Sequence, residues 1–500
     1  MNHTTVLISG AGPTGLTLAC ELARRQVPHR LVERLAAPPR GSRAKGLQPR
    51  SLEILGHLGL AEALLAAGHT DLPYRKFAGD QLLGETPRRP SLRPDTRYPD
   101  VLLLPQTTVE AALRAKLSEL GGAVEWATEL VDCSPTATGL TCRLEHPNWT
   151  EELTCTYLVA CDGGKSPTRK QLGIEFVGET HQQEQLWVGD VEVAGLTPDA
   201  WYNWLSPEFG LAFALFPFKH SPSWQLQAVV PPAADGTTPA PTLAGFNQLF
   251  QARTHLAGVT FTSSSWQSIY RVNVRRAARY RVGNAFLAGD AAHVHSIAGG
   301  LGMNTGIQDA FNLGWKLAAV ARGEAADALL DTYAEERIPI AEWLLQTSSD
   351  RQRAMLQAAT TGQGAFEAIA TPDTTQLNLH YRASSLAVPG EPTPRGLQAG
   401  DRAPDVQLAT GNWLSDQLRG PDWKLLLFGP ADVAAPPYLT LLAADDAALR
   451  QAYGLSDGLV LIRPDGYIAL ITTQASEVST YFARLQPAAG QPAAPLPKQT

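Results

Sequence analysis

Short apolar runs that stop at a glycine recur along this chain, and they set the order of its elements. Residues 6–9, VLIS, meet Gly10-Ala-Gly12-Pro13-Thr14-Gly15. Apolar positions return at Leu16, Leu18, Ala19, Leu22 and Ala23, a helical spacing. A second run, His29–Val32, ends in Glu33, with Arg34 beside it. The pattern predicts strand, glycine turn, helix, strand, acid. After the loop SRAKGLQPRS, Leu52, Ile54 and Leu55 mark an amphipathic helix. A strand closes at Pro105, where Gln106 opens the next helix, and the strand YLVAC ends in Asp162. Over 183–275 the period changes. QLWVGDVEV, GLAFALFPF, SWQLQAVVP and TFTSSSWQSIYRVNVR are strand-like runs separated by turn clusters such as KHSPS, which predicts antiparallel sheet. Residues 285–316, AFLAGDAAHVHSIAGGLGMNTGIQDAFNLGWK, return to the opening scheme. A short strand runs into Gly289-Asp290, followed by two histidines, a glycine run and a helix from Thr305.

The fold class is α/β. A nucleotide-binding domain is expected in two parts, 1–180 and 276–383, with an antiparallel-sheet domain inserted at 181–275. A proline- and glycine-rich linker spans 384–404, a third unit spans 405–485, and a tail with the composition of disorder follows over 486–500. The third unit reads as strand, helix, a hairpin at RPDG and a final helix around 477–485.

The opening glycines have separate jobs in a Rossmann-like unit: a tight turn, close approach of backbone to pyrophosphate, and close helix–strand packing. The helix start offers unpaired N–H groups and partial positive charge to phosphate. Glu33 lies 18 residues past Gly15, where an acid reaches ribose hydroxyls. Asp162 and Asp290 repeat the theme of a carboxylate at a strand's C-terminal end, where α/β sheets bind ligands. One such turn is ordinary; two beside the fingerprint predict an extended dinucleotide across several strand ends. Gln106 is either a polar helix opener or a phosphate or ribose contact. Arg43 is either a solvated charge or a nucleotide or substrate contact. His293, His295 and Asp290 could be drawn as an iron triad, but a structural or cofactor-adjacent histidine fits the loop better.

Composition narrows the class. The net charge of −7 gives no global basic footprint for nucleic acid. No run approaches the ~20 apolar residues of a membrane span, and the start of the chain lacks a signal-peptide pattern. A soluble cytoplasmic protein is expected. The five cysteines are scattered without a CxxC pair, which argues against a disulfide framework or a zinc site.

Three motifs in order, GAGPTG, CDGGKSPTR and AGDAAHVHSIAGGLGMNTGIQDAFNLGWKL, resemble the class A flavoprotein monooxygenases, the p-hydroxybenzoate hydroxylase-like aromatic hydroxylases. The resemblance covers roughly residues 1–350. It implies FAD held by Gly10, Gly12, Pro13, Thr14, Gly15, Glu33, Arg34, Arg43, Gln106, Asp162 and Asp290. Gly300, Gly302, Met303 and Asn304 would lie at the flavin edge. It also implies Arg169 as a contact for NADPH or NADH. The sequence departs from the family at Ser296-Ile297, where a proline is common, and this bears on pocket shape. The third unit resembles the thioredoxin-like domain of some of these hydroxylases, without cysteine for dithiol exchange. Packing, a lid or a homodimer contact are the roles left to it.

The implied reaction consumes NAD(P)H and molecular oxygen and hydroxylates a phenolic or polycyclic aromatic small molecule through a C4a-hydroperoxyflavin. The cofactor carries the chemistry, and no catalytic side chain is named. Phe216, Pro217 and Ile297 are the pocket candidates; Trp187, Trp201, Trp204, Phe213 and Trp224 are either pocket or core. The alternatives are a Baeyer–Villiger monooxygenase acting on a ketone and a non-catalytic flavoprotein scaffold.

Overall fold

A computed structural model describes residues 2–42, 44–88, 93–206, 210–230, 237–295, 300–360 and 372–487. Arg43 and Ile297 lie outside the described residues. So do Ser296 and Gly299.

The first eight-stranded sheet is built on a parallel core. Asn2–Ser9 pairs on one side with Trp149–Ala160 and on the other with His29–Glu33, and Ala285–Leu287 and Val124–Trp126 extend it. Val6, Leu7 and Ile8 are completely buried, as a parallel strand covered on both faces requires. Helices Pro13–Ala23, Gln106–Glu119 and Gly302–Ala321 share a core on one face. The antiparallel meander formed by Glu129–Pro135, Leu140–His146 and the start of Trp149–Ala160 covers the other. Cys133, Cys142 and Cys155 are apolar fillers of that second layer.

Register fixes the site. Ser9 pairs with both Ala160 and Val32, and Ala160 with Leu287. Four strands therefore end level, and the segments beginning at Gly10, Glu33, Cys161 and Ala288 emerge along one edge.

The second eight-stranded sheet runs His293–Val294, Thr260–Ala277, Phe176–Ala194, Ser223–Val229, Gly210–Pro217, Trp201–Ser206, Tyr74–Ala78, Gln81–Thr86. It reaches outside 181–275 at both ends. The hairpin Tyr74–Thr86 joins through a parallel pairing with Trp201–Ser206.

Alternation divides the aromatic residues between its two faces. Trp187, Trp204, Phe213 and Trp224 enter one core with Phe246 and Phe250 of helix Leu243–Thr254. Each such ring contributes about 2–3 kcal/mol by burial alone, so this is the load of the domain and not a pocket. Trp201 and Phe216 point to the opposite face, where they pack together with Leu72, Leu103 and Phe218.

The third unit is a four-stranded sheet, Leu439–Ala443, Trp423–Phe428, Gly458–Ile462, Ile468–Thr472. Helix Ala447–Tyr453 follows a strand that the sequence pattern did not reveal, and helix Ala475–Leu485 closes the unit. It is joined to the first domain by buried charge. Arg463 bonds Glu336 and Asp465, Lys316 bonds Glu336 at 2.7 Å, and the Trp315 indole N–H donates to Asp465 at 3.1 Å. Such pairs cost desolvation and are stable only when fully partnered.

Candidate functional site

The three opening glycines are constrained in three ways. A Cβ on Gly10, at φ +104°, would lie 2.4 Å from the Cys161 carbonyl oxygen, and one on Gly15 would lie 2.0 Å from the Gly10 oxygen. The protein itself demands these two. A Cβ on Gly12 meets nothing within 4 Å, so no protein contact demands a glycine there and the space above it is open. Gly12 caps helix Pro13–Ala23 without a side-chain hydrogen bond, and the first turn carries no acid. Its N–H groups are an anion site.

Glu33 accepts a hydrogen bond from the Ala11 N–H at 2.9 Å and another from the Leu35 N–H at 3.1 Å. The acid thus holds the glycine turn, with lone pairs remaining for hydroxyls. Arg34 is exposed beside it. The Gln106 N–H donates to Ser42 Oγ at 2.8 Å, and its amide donates to Glu110. Asp162 accepts from the Thr168 N–H through Oδ2, and its Oδ1 is buried with no hydrogen-bond partner. Thr14 is packed where three elements meet: a Cβ on either Gly289 or Gly306 would lie 2.4 Å from its Oγ1. Asp290 is exposed on the turn Gly289–Ala291.

The long helix begins at Gly302, three residues before the expected Thr305. Leu301 caps it without a side-chain hydrogen bond, and its first turn has no acid. Gly300, at φ +60°, has open space around its Cβ direction. Met303 is partly buried at the helix start. Asn304, expected beside the flavin, has its side chain engaged within the protein. It is buried, accepting from the Gln48 N–H at 2.7 Å and donating to the Gly46 and Gly300 carbonyls. It ties the loop 41–48 to the helix start.

Arg169 is also committed. It is 4% exposed, stacks 3.7 Å from the Phe176 ring centroid, and donates to the carbonyls of Ala291 and Gly164. The guanidinium straps the Asp162 and Asp290 loops together.

Sequence reasoning missed the buried support of the Asp290 turn. Asp309 accepts from the Gly289 N–H at 3.0 Å, bonds His293 Nε2 at 2.7 Å, and accepts from Arg337 Nε at 2.7 Å. Burial alone would raise its carboxyl; Arg337 and His293 outweigh that and hold it below the usual range. His293 therefore serves the turn. Among the described residues no His, Cys, Asp and Glu group could hold a metal ion. An acid inside an apolar helix was the available signal.

A second missed cluster lies between the sheets. Ser42 and Lys45 lie on the face of the second sheet that carries Trp201 and Phe216. Ser42 N–H donates to Asp190 Oδ2 at 2.7 Å, Gln225 donates to the Ser42 carbonyl at 2.9 Å, and Lys45 Nζ donates to Gln225 Oε1 at 2.8 Å. Lys45 Nζ also lies 4.9 Å from the Trp201 ring centroid, a cation–π distance. Burial pushes the Lys45 ammonium down to about 7 against the pull of Asp190, and burial pushes the Asp190 carboxyl up to about 6.

The fold and site define a dinucleotide-binding α/β protein with a second sheet laid against the ligand edge. The unmet N–H groups, the open space above Gly12 and the unpartnered Asp162 oxygen fit FAD. The chain belongs to the FAD binding domain family, whose model matches residues 3–348. It is 38% identical over 488 residues to a flavin-dependent monooxygenase of Mycobacteroides abscessus, covering 96% of this chain and 100% of that one. It is 37% identical to the 6-methylpretetramide 4-monooxygenase of Streptomyces rimosus, over 96% of this chain and 93% of the relative. Among solved structures, aklavinone-11 hydroxylase with FAD and aklavinone superposes with a TM-score of 0.80 at 26% identity, covering 97% of this chain and 99% of that one. A pentachlorophenol 4-monooxygenase of Sphingobium chlorophenolicum is 31% identical, over 92% of this chain and 86% of the relative. Among the described residues, no helix is long and apolar enough to cross a membrane.

Proposed function

We propose that the protein is an FAD-dependent monooxygenase that hydroxylates a phenolic or polycyclic aromatic compound at the expense of NAD(P)H. The observation that carries this reading is the joining of two surfaces. Four level strand ends fit an extended dinucleotide, and loop 41–48 bonds the start of helix Gly302–Ala321 on one side and the second sheet on the other.

Bound FAD supplies reductive activation of molecular oxygen. The chain's residues bind and orient. Gly12 and the N–H groups after it receive the pyrophosphate, Glu33 the ribose, and Asp290 hydroxyls of the ribityl chain. The start of helix Gly302–Ala321, uncapped by a side chain and without an acid in its first turn, would offer partial positive charge to the flavin end of bound FAD. The face carrying Trp201 and Phe216 covers that end and excludes water. Pro217 closes its strand and is buried beside Phe216.

The third unit reads as thioredoxin-like on its order of strand, strand, helix, hairpin and helix. Its buried ion pairs with Glu336 support a packing role.

The test is NAD(P)H oxidation by the FAD-loaded protein with a panel of phenols and polycyclic aromatics, with peroxide followed in the same sample. Acceleration without matching peroxide is the expected result. Acceleration matched by peroxide, or none with any aromatic while a cyclic ketone is converted to a lactone, contradicts the proposal.

A further inference from the structure

Register sets up a polar row across the second sheet. Asp190 pairs with Gln225, Gln225 with Phe216, and the alternation that turns Tyr202 and Trp204 into the aromatic core turns Trp201 to the same side as these three. An acid and an amide in mid-sheet do nothing for the core behind them. The Asp190 side chain is buried, 4% exposed; Ser42 uses its Oδ2, and its Oδ1 has no hydrogen-bond partner. Lys45 closes the row from above, held by Gln225 and the Trp201 face. The next residue, Gly46, is bonded by Asn304 at the helix start. Lys45, at the top of the row, is thus the sequence neighbour of the residue that Asn304 ties to the helix start proposed to face the flavin.

Resting on the proposed hydroxylase reading, we propose that Lys45 is the base that takes the proton from the substrate's ring hydroxyl, with Asp190 and Gln225 holding the ammonium so formed. The ring hydroxyl gives its proton to the neutral Nζ; an oxyanion and an ammonium result, and no other bond changes. The ammonium is then met by Asp190, by the Gln225 side-chain amide oxygen and by the Trp201 ring, and the oxyanion by the ammonium itself. A ring bearing an oxyanion is more electron-rich and a better partner for an electrophilic oxygen. The depressed ammonium of Lys45 suits a base near neutrality. The charged group that acts on Lys45 is Asp190; Gln225 and Gln227 from the strand beside it, and Asn203 two strands further on, are neutral. The face therefore selects compounds with an acidic ring hydroxyl over ketones.

The test uses the FAD-loaded protein and alizarin, a dihydroxyanthraquinone whose ionised form absorbs beyond the oxidised flavin band. Absorbance of bound dye is followed against pH for the wild type, Lys45→Met and Lys45→Arg, with flavin content and melting temperature recorded for each. Bound dye should ionise at least tenfold more readily than free dye in the wild type, and this advantage should vanish in Lys45→Met. Lys45→Arg should keep the bound oxyanion, because guanidinium is a permanent cation, and should lose the rise in turnover as pH passes through about 7. Unshifted ionisation in the wild type, a retained shift in Lys45→Met, or no binding of the dye overturns the assignment. Oxygenation of a phenol with unshifted ionisation would overturn this inference alone; failure of every aromatic to be oxygenated would overturn the hydroxylase reading beneath it.

Discussion

Asp309 accepts a hydrogen bond from the Gly289 N–H at 3.0 Å, so a buried acid on the long helix fixes the turn that presents Asp290. The same carboxylate is bonded by His293 and Arg337. Replacing it with alanine leaves Arg337, itself fully buried, without its ionic partner. The cost of breaking such a pair is about 3–5 kcal/mol. Asp309→Ala should unfold at a much lower temperature and retain little flavin; Asp309→Asn, which keeps the shape, should fold better than Asp309→Ala. Thermal melts and flavin-to-protein absorbance ratios read both effects.

Asp290 itself is exposed on that turn, and the larger part of its contribution should fall on the ligand. Asp290→Ala should leave the melting temperature of the flavin-free protein unchanged within about 0.5 kcal/mol of stability. Losing hydrogen bonds to a charged group, about 1.5–3 kcal/mol, should weaken FAD about ten- to a hundredfold. Titration of flavin-free protein with FAD, by quenching of flavin fluorescence, measures this.

Two glycines three residues apart, Gly12 and Gly15, should respond oppositely. Gly15→Ala forces a Cβ to 2.0 Å from the Gly10 oxygen, so it should destabilise the fold with or without flavin. Gly12→Val points its side chain into open space and should fold normally, yet lose FAD. Equal effects on stability would contradict a ligand-shaped gap.

Asp190 gives a pH signature. Its folded pKa, about 6, lies above its ordinary 3.8, so the folded protein binds the proton more tightly than the unfolded chain. Stability is then greatest below the unfolded value and falls as pH rises from about 4 through 6. Asp190→Asn removes that slope. Relative to wild type, the variant should gain on the order of 2–3 kcal/mol more at pH 7.5 than at pH 4. Denaturant titrations at the two pH values test the sign.

The glycine turns and strand-end acids were legible because their signals are local. Gly10, Gly12, Gly15, Glu33, Asp162 and Asp290 each sit next to the strand that positions them, and strand ends can be read from apolar runs. What the chain does across long separations was not legible. Asn304 looked like a cofactor contact, yet it bonds Gly46 and Gln48, some 250 residues away. The Lys45–Gln225 bond joins residues 180 apart. The hairpin Tyr74–Thr86 carries no mark that it will extend a sheet formed more than a hundred residues later. The split of the aromatics was partly within reach: strict alternation at Trp201, Tyr202, Asn203 and Trp204 puts the first and third on one face, and their polar neighbours Gln225 and Asp190 mark which face is not core.

Single-turnover oxidation of a phenolic polycyclic compound under isotopically labelled molecular oxygen tests the central claim most directly. The FAD-loaded protein is reduced with NADPH or NADH, mixed with the compound and the labelled gas, and the product is weighed by mass spectrometry. The account predicts one labelled oxygen atom in a new ring hydroxyl, with little peroxide. Unchanged compound with all the reducing power recovered as peroxide, or label found in a lactone from a ketone and never on an aromatic ring, would contradict it.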